Sequence, residues 1–428
     1  MNDRPPLAAP ADDEAWAVKA LRELGWLLRL GQVVGAIPRS APTLGGANAI
    51  VTPDSYQRVL NALELPDRPL QLTRFERPEP GEAAAVARMA RRAALTVVET
   101  FCDGKLADAN AKAMRDQHAK PHGCVIAEFI VRDDPPPELA VGVFQPGARY
   151  QALVRFSNAQ SSKKPDRAPD GRGMAIKLLN APGPSFLSIL RGERADGHVE
   201  QDFLMTNYPV FFGKNVSDYT RFLEIIALPH DGWGAKFVWF AKLVAFFVPF
   251  RLWQLWIFIR SATQRVASPL GVAYHSMTPY LLGGDTVVRY VALPRSIPYA
   301  RPCESGGSND NFLRAAMIAE LDPATHAPGQ AAVFDFAVKV RHAPRPDDVE
   351  DASLPWDSPE DRQVALARLV IPVQALDEAA RWYACETVSF SPWHCLPQHR
   401  PLGGLNRMRL AVYRASLEVR HRLNMVQP

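Results

Sequence analysis

The chain has 428 residues, 47% of them hydrophobic and 22% charged, with a formal net charge of +4. This composition is typical of a soluble globular protein with a large core, and the charge is too small to indicate a nucleic-acid partner. Five cysteines without CxxC spacing argue against a zinc site and a disulfide framework, and favour a reducing, cytoplasmic compartment. The sequence has no pattern typical of a signal peptide, nucleotide-binding loop, zinc protease or serine hydrolase.

Residues 1–104 are predicted to form a tail with a helical extension. Residues 1–13 are polar and proline-rich and favour a flexible tail. Apolar residues recur at helical spacing over 16–34, which predicts an amphipathic helix. A second helix is predicted from about residue 82 to 101, where an Asp-Gly pair ends it.

Residues 105–428 are predicted to form one α+β domain around an antiparallel β-barrel. β-type runs bounded by Pro and Gly cover residues 123–131, 150–157, 173–179, 285–292, 331–341 and 363–371. Short strands at this density, with helices grouped at the two ends and in one insertion, favour a closed barrel with added helices.

The insertion at residues 234–260 is strongly apolar and has about the length of a membrane span. Lys236, Lys242 and Arg251, together with a break at Pro249, argue against a true span. Two interpretations stay open. The segment is either a buried helical hairpin, or a peripheral membrane contact and apolar mouth that admits lipid substrates.

The segment 390–413 joins a proline-punctuated loop to a helix that begins after Pro401 and a Gly-Gly pair. On this helix Arg409 and Tyr413 are four residues apart, so their side chains share one face. A guanidinium beside a phenol favours the phenolate, which is one of the few axial ligands that proteins offer to haem iron. The pair alone also fits an ordinary contact on a helix surface.

Two groups of polar residues earlier in the chain suit the same chemistry. His118 and His122 precede a strand, and a neutral imidazole beside a peroxide can move a proton between its two oxygens. Ligation of a metal by this histidine pair is the alternative. Arg155 and Arg172 each adjoin a strand and could neutralise the two haem propionates, whereas residues 201–212 suit a polar pocket roofed by aromatic rings.

Taken in order, five motifs resemble those of the haem catalase superfamily. They are His118-Ala-Lys, Val154-Arg-Phe-Ser157, Asp170-Gly-Arg-Gly173, Asn207-Tyr-Pro-Val-Phe-Phe212, and Phe390-Ser-Pro followed by Arg409-x-x-x-Tyr413. The resemblance covers about residues 110–425, with 234–260 as an unmatched insertion. Because the sequence ends soon after the tyrosine helix, it is more similar to short catalase-like haem proteins and to their allene oxide synthase relatives.

The resemblance implies an eight-stranded antiparallel barrel that encloses haem b. His118 would be the distal catalytic histidine and Ser157 its hydrogen-bonding partner. Tyr413 would be the iron ligand, with Arg409 as its charge partner. The other residues expected at the cofactor are Arg115 and Arg155, with Arg420 or Arg422, facing the propionates, and Phe211 near the porphyrin.

One position departs from the family pattern. The distal asparagine of catalases falls on Thr206, with Asn207 one place later, so either residue could fill that role. Together with the apolar insertion, this departure favours a haem-dependent peroxidase acting on organic or fatty acid hydroperoxides. A true catalase acting on hydrogen peroxide and a non-catalytic haem sensor or carrier are the alternatives. The number of subunits stays open, and a homo-oligomer is compatible with the sequence.

Overall fold

Nine antiparallel strands form the centre of the computed structural model, which describes residues 70–108, 112–191, 198–228, 232–295, 310–323, 331–376, 381 and 385–424. The strands are β1 (Pro121–Val131), β2 (Arg149–Asn158), β3 (Arg172–Pro182), β4 (His198–Thr206), β5 (Tyr274–His275), β6 (Tyr280–Leu282), β7 (Thr286–Pro294), β8 (Ala332–Val340) and β9 (Arg362–Ile371). Eight of them close a barrel, because the short β5 pairs with both β4 and β7, while β6 lies farther along β7. The predicted barrel is confirmed, whereas the predicted helix at 16–34 lies outside the described residues.

The barrel interior is filled by aromatic side chains that alternate along the strands. On β8, Phe334, Phe336 and Val338 are fully buried, as a period of two residues requires when one face of a strand points into the core. The ring of Phe336 lies 5.0 Å from that of Phe129 and 4.8 Å from that of Phe203. Because side chains fill the barrel, a large ligand must bind outside this core.

Helices cover the barrel at its edge and form the second layer. They are α1 (Glu82–Ala107), α2 (Phe186–Arg191), α3 (Val216–Ile226), α4 (Trp233–Phe247), α5 (Leu252–Thr263), α6 (Phe312–Leu321), α7 (Pro346–Glu350) and α8 (Gly404–Leu423), with 3-10 turns at Pro137–Leu139, Pro269–Gly271 and Pro397–His399. Small residues on α1 and α8, among them Ala94, Ala411 and Ala415, bring these two helices together. The helix predicted from residue 82 is confirmed, but its predicted end at the Asp-Gly pair is wrong, because the helix continues through that pair to Ala107. The division between residues 1–104 and 105–428 stays a prediction.

The beginning of α8 is fixed by a buried ion-pair network. The Arg407 guanidinium donates to Glu82 at 2.6 Å, to Glu76 at 2.8 Å and to Glu350 at 3.0 Å. Burial opposes the charge, but the hydrogen bonds to Glu82 and Glu350 outweigh it and hold the pKa of Arg407 above its ordinary value. The network ties the start of α8 to α1 and α7, so the tyrosine helix has little freedom to move.

Two sequence predictions are settled by the fold. Cys124 and Cys385 form a disulfide between β1 and the segment that precedes the 390–413 motif, so the prediction of no disulfide is wrong for this pair. Separation by 261 residues hides such a pair from any analysis of cysteine spacing. The insertion is a bent helical hairpin, since α4 ends at Phe247 and α5 begins at Leu252.

Candidate functional site

A cavity of about 440 Å³ lies between the barrel edge and helices α1, α3, α5 and α8. Its walls bring together residues that are up to about three hundred positions apart in the sequence. Of the residues predicted from the sequence, the lining includes Arg115, His118, Arg155, Ser157, Thr206, Asn207, Phe211, Arg409, Tyr413 and Arg420. The strand residues and the helix α8 residues form two walls, which we call the histidine wall and the tyrosine wall.

The histidine wall holds His118 in a constrained position. Its Nδ1 lies 3.0 Å from Ser157 Oγ, and its backbone N–H donates to the Ala159 carbonyl at 3.0 Å. Its own carbonyl accepts from Arg155 Nη2 at 2.9 Å. The backbone of His118 has φ of 59°, a left-handed conformation that is uncommon for a residue with a side chain. These contacts fix the ring beside Ser157.

The environment keeps the His118 imidazole neutral. Burial, followed by the charge of Arg155, lowers the pKa of His118 to about 3. The ring is therefore uncharged at any ordinary pH and can accept a proton. In the tautomer whose Nδ1–H donates to Ser157 Oγ, the Nε2 atom is the acceptor left for a ligand.

Gly173 makes room for this imidazole. A Cβ atom at Gly173 would lie 2.5 Å from both Cε1 and Nδ1 of His118 and 3.1 Å from Ser157 Oγ. Gly173 pairs with Ser157 on β2 and with Thr206 on β4, so the glycine lies between the two neighbouring polar residues. The sequence analysis included Gly173 in a motif but missed its role, because only the fold brings the histidine over it.

Thr206 and Asn207 differ in how their side chains are used. The Asn207 amide is fully engaged, since Oδ1 accepts from the Arg172 backbone N–H and Nδ2 donates to Gln264 Oε1, both at 2.8 Å. Among the described residues, the Thr206 hydroxyl makes a single, long hydrogen bond, 3.5 Å from the Tyr208 carbonyl. Thr206 is therefore the group better able to bind a ligand in the cavity.

The tyrosine wall is formed by one face of α8. Arg409 donates from Nη1 to Thr278 Oγ1 at 3.1 Å and to Asn406 Oδ1 at 3.2 Å. Burial raises the pKa of Tyr413, although the charge of Arg409 opposes this effect. Arg409 therefore favours the phenolate, as expected, but burial outweighs its effect. A bound cation would favour the phenolate further.

Three arginines line one end of the cavity, where the carboxylates of Glu386 and Asp116 are the acidic groups near them among the described residues. Arg155 Nε donates to Glu386 at 3.0 Å, Arg115 donates to the Cys385 and Val388 carbonyls, and Arg420 donates to the Glu386 carbonyl. Burial, and then the nearby Arg420 and Arg155, lower the pKa of Arg115 well below its ordinary value. Its buried Nε has no hydrogen-bond partner among the described residues. This end of the cavity therefore has an excess of positive charge.

Arg422 does not belong to this cluster. Its side chain is 47% exposed and pairs with Glu418 one turn earlier on the outer face of α8. Residues two positions apart on a helix point in directions that differ by about 200°, so Arg420 and Arg422 cannot both face the cavity. Of the two arginines predicted from the sequence, Arg420 is the one at the site and Arg422 is excluded.

These residues fit a haem group with its two carboxylates toward the arginines. The unpaired Nε of Arg115 and the excess positive charge at that end suit a dianion. Tyr413 is a buried phenol beside Arg409, and a phenolate at this position could serve as a ligand of haem iron. Tyr413, Arg409 and Phe211 would hold the group from one side, and His118 would face it from the other.

Asp170 is a functional candidate that the sequence analysis overlooked. Its carboxylate is 2% exposed and lines the cavity, and no side chain of the described residues donates a hydrogen bond to it. Burial raises the pKa of Asp170 to about 6, although Arg172, Lys164 and the backbone N–H groups of Gln160 and Ala159 oppose this shift. The residue lies in the quoted Asp170-Gly-Arg-Gly173 motif, but its lack of a side-chain partner could be recognised only from the fold.

The alternative metal site at His118 and His122 does not form. His122 is buried outside the cavity lining, where its Nε2 lies 2.8 Å from Asn158 Oδ1. Arg172 bonds to the same Asn158 oxygen and to the Asp166 carbonyl, so it is not at the arginine end either. Within the described ranges, one other cluster has metal-binding residue types, namely Glu200, Asp202 and His394. The Lys177 ammonium already lies in that cluster, 2.9 Å from Asp202.

No protein-family model matches the sequence, and no curated protein matches it. Solved structures do match. A fungal catalase aligns at a TM-score of 0.55 with 16% identity, over 85% of this chain and 68% of its own. Catalase A from Saccharomyces cerevisiae aligns at a TM-score of 0.56 with 15% identity, over 85% of this chain and 71% of its own. A bacterial catalase aligns at a TM-score of 0.53 with 16% identity, over 77% of this chain and 63% of its own. The chain therefore has the catalase fold, an eight-stranded antiparallel barrel with added helices.

Proposed function

We propose that the chain is a haem b-dependent oxidoreductase that consumes hydroperoxides, with organic or fatty acid hydroperoxides as its substrates. The observation that carries this proposal is a single cavity with a neutral histidine on one wall and a buried tyrosine on the other. Bound haem would supply the redox chemistry of peroxide O–O cleavage. The catalase fold supports the same class of chemistry.

The chain's own residues would manage the protons. His118 Nε2 would accept the proton of one peroxide oxygen and return it to the other, which leaves as water or alcohol. Bound haem would supply the two electrons of this cleavage, and a reducing co-substrate would restore them. A Ser157 hydroxyl that accepts from Nδ1–H would hold the ring in the tautomer that this transfer needs. The Thr206 hydroxyl lies on the same wall and donates a hydrogen bond to the peroxide. Arg115, Arg155 and Arg420 bind the cofactor carboxylates.

The lining of the cavity supports an apolar substrate. Beyond the polar residues of the two walls, one side consists of apolar side chains from α3, α5 and the segment after β4. Phe211, Phe212, Phe222, Ile226 and Phe258 form this apolar side. A hydrocarbon chain buried against such residues gains binding free energy that hydrogen peroxide cannot gain.

The experiment is a comparison of two substrates on purified, haem-supplied protein. Oxygen release from hydrogen peroxide and loss of a fatty acid hydroperoxide are measured at matched concentrations. We expect the fatty acid hydroperoxide to give the higher kcat/KM. Oxygen release at the higher kcat/KM, with the fatty acid hydroperoxide untouched, would assign the protein as a catalase. If the protein turns over neither substrate, the remaining interpretation is a non-catalytic haem sensor or carrier.

A further inference from the structure

The helical hairpin Trp233–Thr263 presents a large apolar surface to solvent. Its inner side packs into a cluster that includes Phe222, Leu243 and Phe247. On its outer side, Trp233 is 93% exposed and Phe250 is 90% exposed. Solvent exposure of a contiguous set of such rings is costly and indicates an interaction surface.

The exposed residues of α4 form a stripe. Trp233, Phe237, Phe240, Val244 and Val248 recur at intervals of three or four residues, so they lie along one side of the helix. Four of them are exposed and Val244 is half-buried. The stripe leads into the turn at Phe250, and we call the stripe and this turn the apolar rim.

The charged residues of the hairpin itself all have one sign. No Asp or Glu occurs between Trp233 and Thr263. Arg251 is paired with Asp218 at 3.0 Å, but Lys236 and Lys242 are exposed and make no ion pair with any described residue. Unpaired lysines beside exposed aromatic residues complement a surface that is apolar below and anionic at its boundary.

A second copy of the chain is a poorer occupant of the same surface. In a twofold dimer each patch meets its own copy, so the hairpin's lysines would oppose lysines, and no acidic residue of the hairpin could compensate them. A bilayer with anionic phospholipids satisfies both the apolar rim and the lysines. The observations therefore favour a lipid surface.

The geometry of the hairpin suits a position on a membrane surface better than a span across it. No single helix among the described residues is long and apolar enough to span, and only α4 and α5 together satisfy length and composition, with a bend of 113° between them. Helices of 15 and 12 residues are about 22 and 18 Å long, shorter than a hydrocarbon core of about 30 Å.

The hairpin is also part of the cavity wall. Phe258, Ser261 and Ala262 of α5 line the cavity, and the ring of Phe258 lies 5.2 Å from that of Phe212. We propose that Trp233–Thr263 docks on bilayers containing anionic phospholipid, with Trp233, Phe237 and Phe250 inserted at headgroup level. This inference rests on the proposed function, because docking would place the cavity wall next to the bilayer, which contains the lipid hydroperoxides.

The docking is tested with the full chain and vesicles of phosphatidylcholine, alone or mixed with phosphatidylglycerol. We expect the mixed vesicles to bind the protein in co-sedimentation, and added salt to weaken this binding. Phe237→Ser with Phe250→Ser should weaken binding by roughly 10- to 100-fold per ring. Lys236→Gln and Lys242→Gln should each weaken it by roughly fivefold.

The matched control is Ile126→Ser, which removes a 49% exposed apolar side chain from β1 and should leave vesicle binding unchanged. Equal binding by the wild type and the double phenylalanine variant would overturn the proposal. The proposal would also be overturned if the wild type is a dimer that the two phenylalanine substitutions dissociate, and if neither the wild type nor the variant binds vesicles. Circular dichroism of the variant confirms that it has folded.

A turnover assay separates this inference from the proposed function. The double phenylalanine variant should retain turnover of a dissolved fatty acid hydroperoxide but lose turnover of phospholipid hydroperoxide in vesicles. Vesicle binding without turnover of either substrate would refute the proposed function and leave the docking surface intact. Turnover of the dissolved substrate by a wild type that binds no vesicles would refute the docking alone.

Discussion

The two walls of the cavity are built in different ways. The tyrosine wall is one face of a single helix, and helical periodicity sets the positions of Arg409 and Tyr413 relative to each other. The histidine wall needs the strands β2, β3 and β4, a left-handed residue at position 118, and a glycine that leaves room for the ring. A local motif can therefore specify one half of a site, whereas the other half exists only in the assembled sheet.

This difference predicts that substitutions in the histidine wall affect catalysis more than cofactor retention. His118→Ala should lower the rate of hydroperoxide turnover by roughly 10²- to 10⁴-fold, the usual contribution of a general base. Haem content, measured by absorbance, should stay near that of the wild type. Unchanged turnover would contradict the role of His118.

The pH profile gives a second test of the same residue. Because the pKa of His118 is about 3, the imidazole is neutral throughout the usual range. We therefore expect that kcat/KM of the wild type does not fall with a midpoint near pH 6.5 through protonation of His118. The pH profile of His118→Ala should have the same shape in this range. A fall in the wild type that His118→Ala lacks would show that the imidazole is charged near neutral pH and would contradict its burial.

Gly173→Ala tests whether the sheet positions the histidine. The added Cβ would lie 2.5 Å from the imidazole, so the ring must move and turnover should fall by about 10- to 100-fold, as a displacement of about 1 Å commonly causes. Gly284→Ala is the matched control, because a Cβ at that position meets nothing within 4 Å. Equal activity of the two variants would show that Gly173 does not position His118.

The sequence predicted the barrel and α8 correctly, because both rest on local patterns. Alternating apolar residues such as Phe334 and Phe336 identify a strand, and Gly403-Gly404 marks the beginning of the helix. It could not assign Asp170 or Gly173, whose roles depend on neighbours from other strands. It also kept Arg422 as an equal alternative to Arg420, since sequence proximity does not state which face of a helix meets the cavity.

Asp170 provides a test on stability. Its pKa of about 6 lies above the unfolded value of about 4, so the folded state favours the protonated acid. Its contribution is fully present below pH 4 and is lost as the pH rises through 6. Asp170→Asn should therefore raise the free energy of unfolding by about 3 kcal/mol at pH 8 relative to its effect at pH 3.5. Urea denaturation at the two pH values measures the difference, and equal effects would place the carboxylate in a solvated position.

The smallest expected effect concerns Thr206. Loss of one hydrogen bond to the substrate in Thr206→Val should lower turnover by about fivefold and leave stability nearly unchanged. Asn207→Ala should instead lower the free energy of unfolding by about 2 kcal/mol, because the Arg172 N–H and the Gln264 side chain lose their partner. If instead Asn207→Ala lowers turnover and Thr206→Val lowers the free energy of unfolding, the contact with the substrate belongs to Asn207.

The absorption spectrum of the haem-supplied protein tests the central claim most directly. We predict the spectrum of ferric haem with a phenolate ligand, and its loss in Tyr413→Phe, which removes the ligand oxygen and keeps the ring. Arg422→Gln, on the outer face of the same helix, should keep the wild-type spectrum. A protein that binds no haem, or a Tyr413→Phe variant with the wild-type spectrum, would contradict the account.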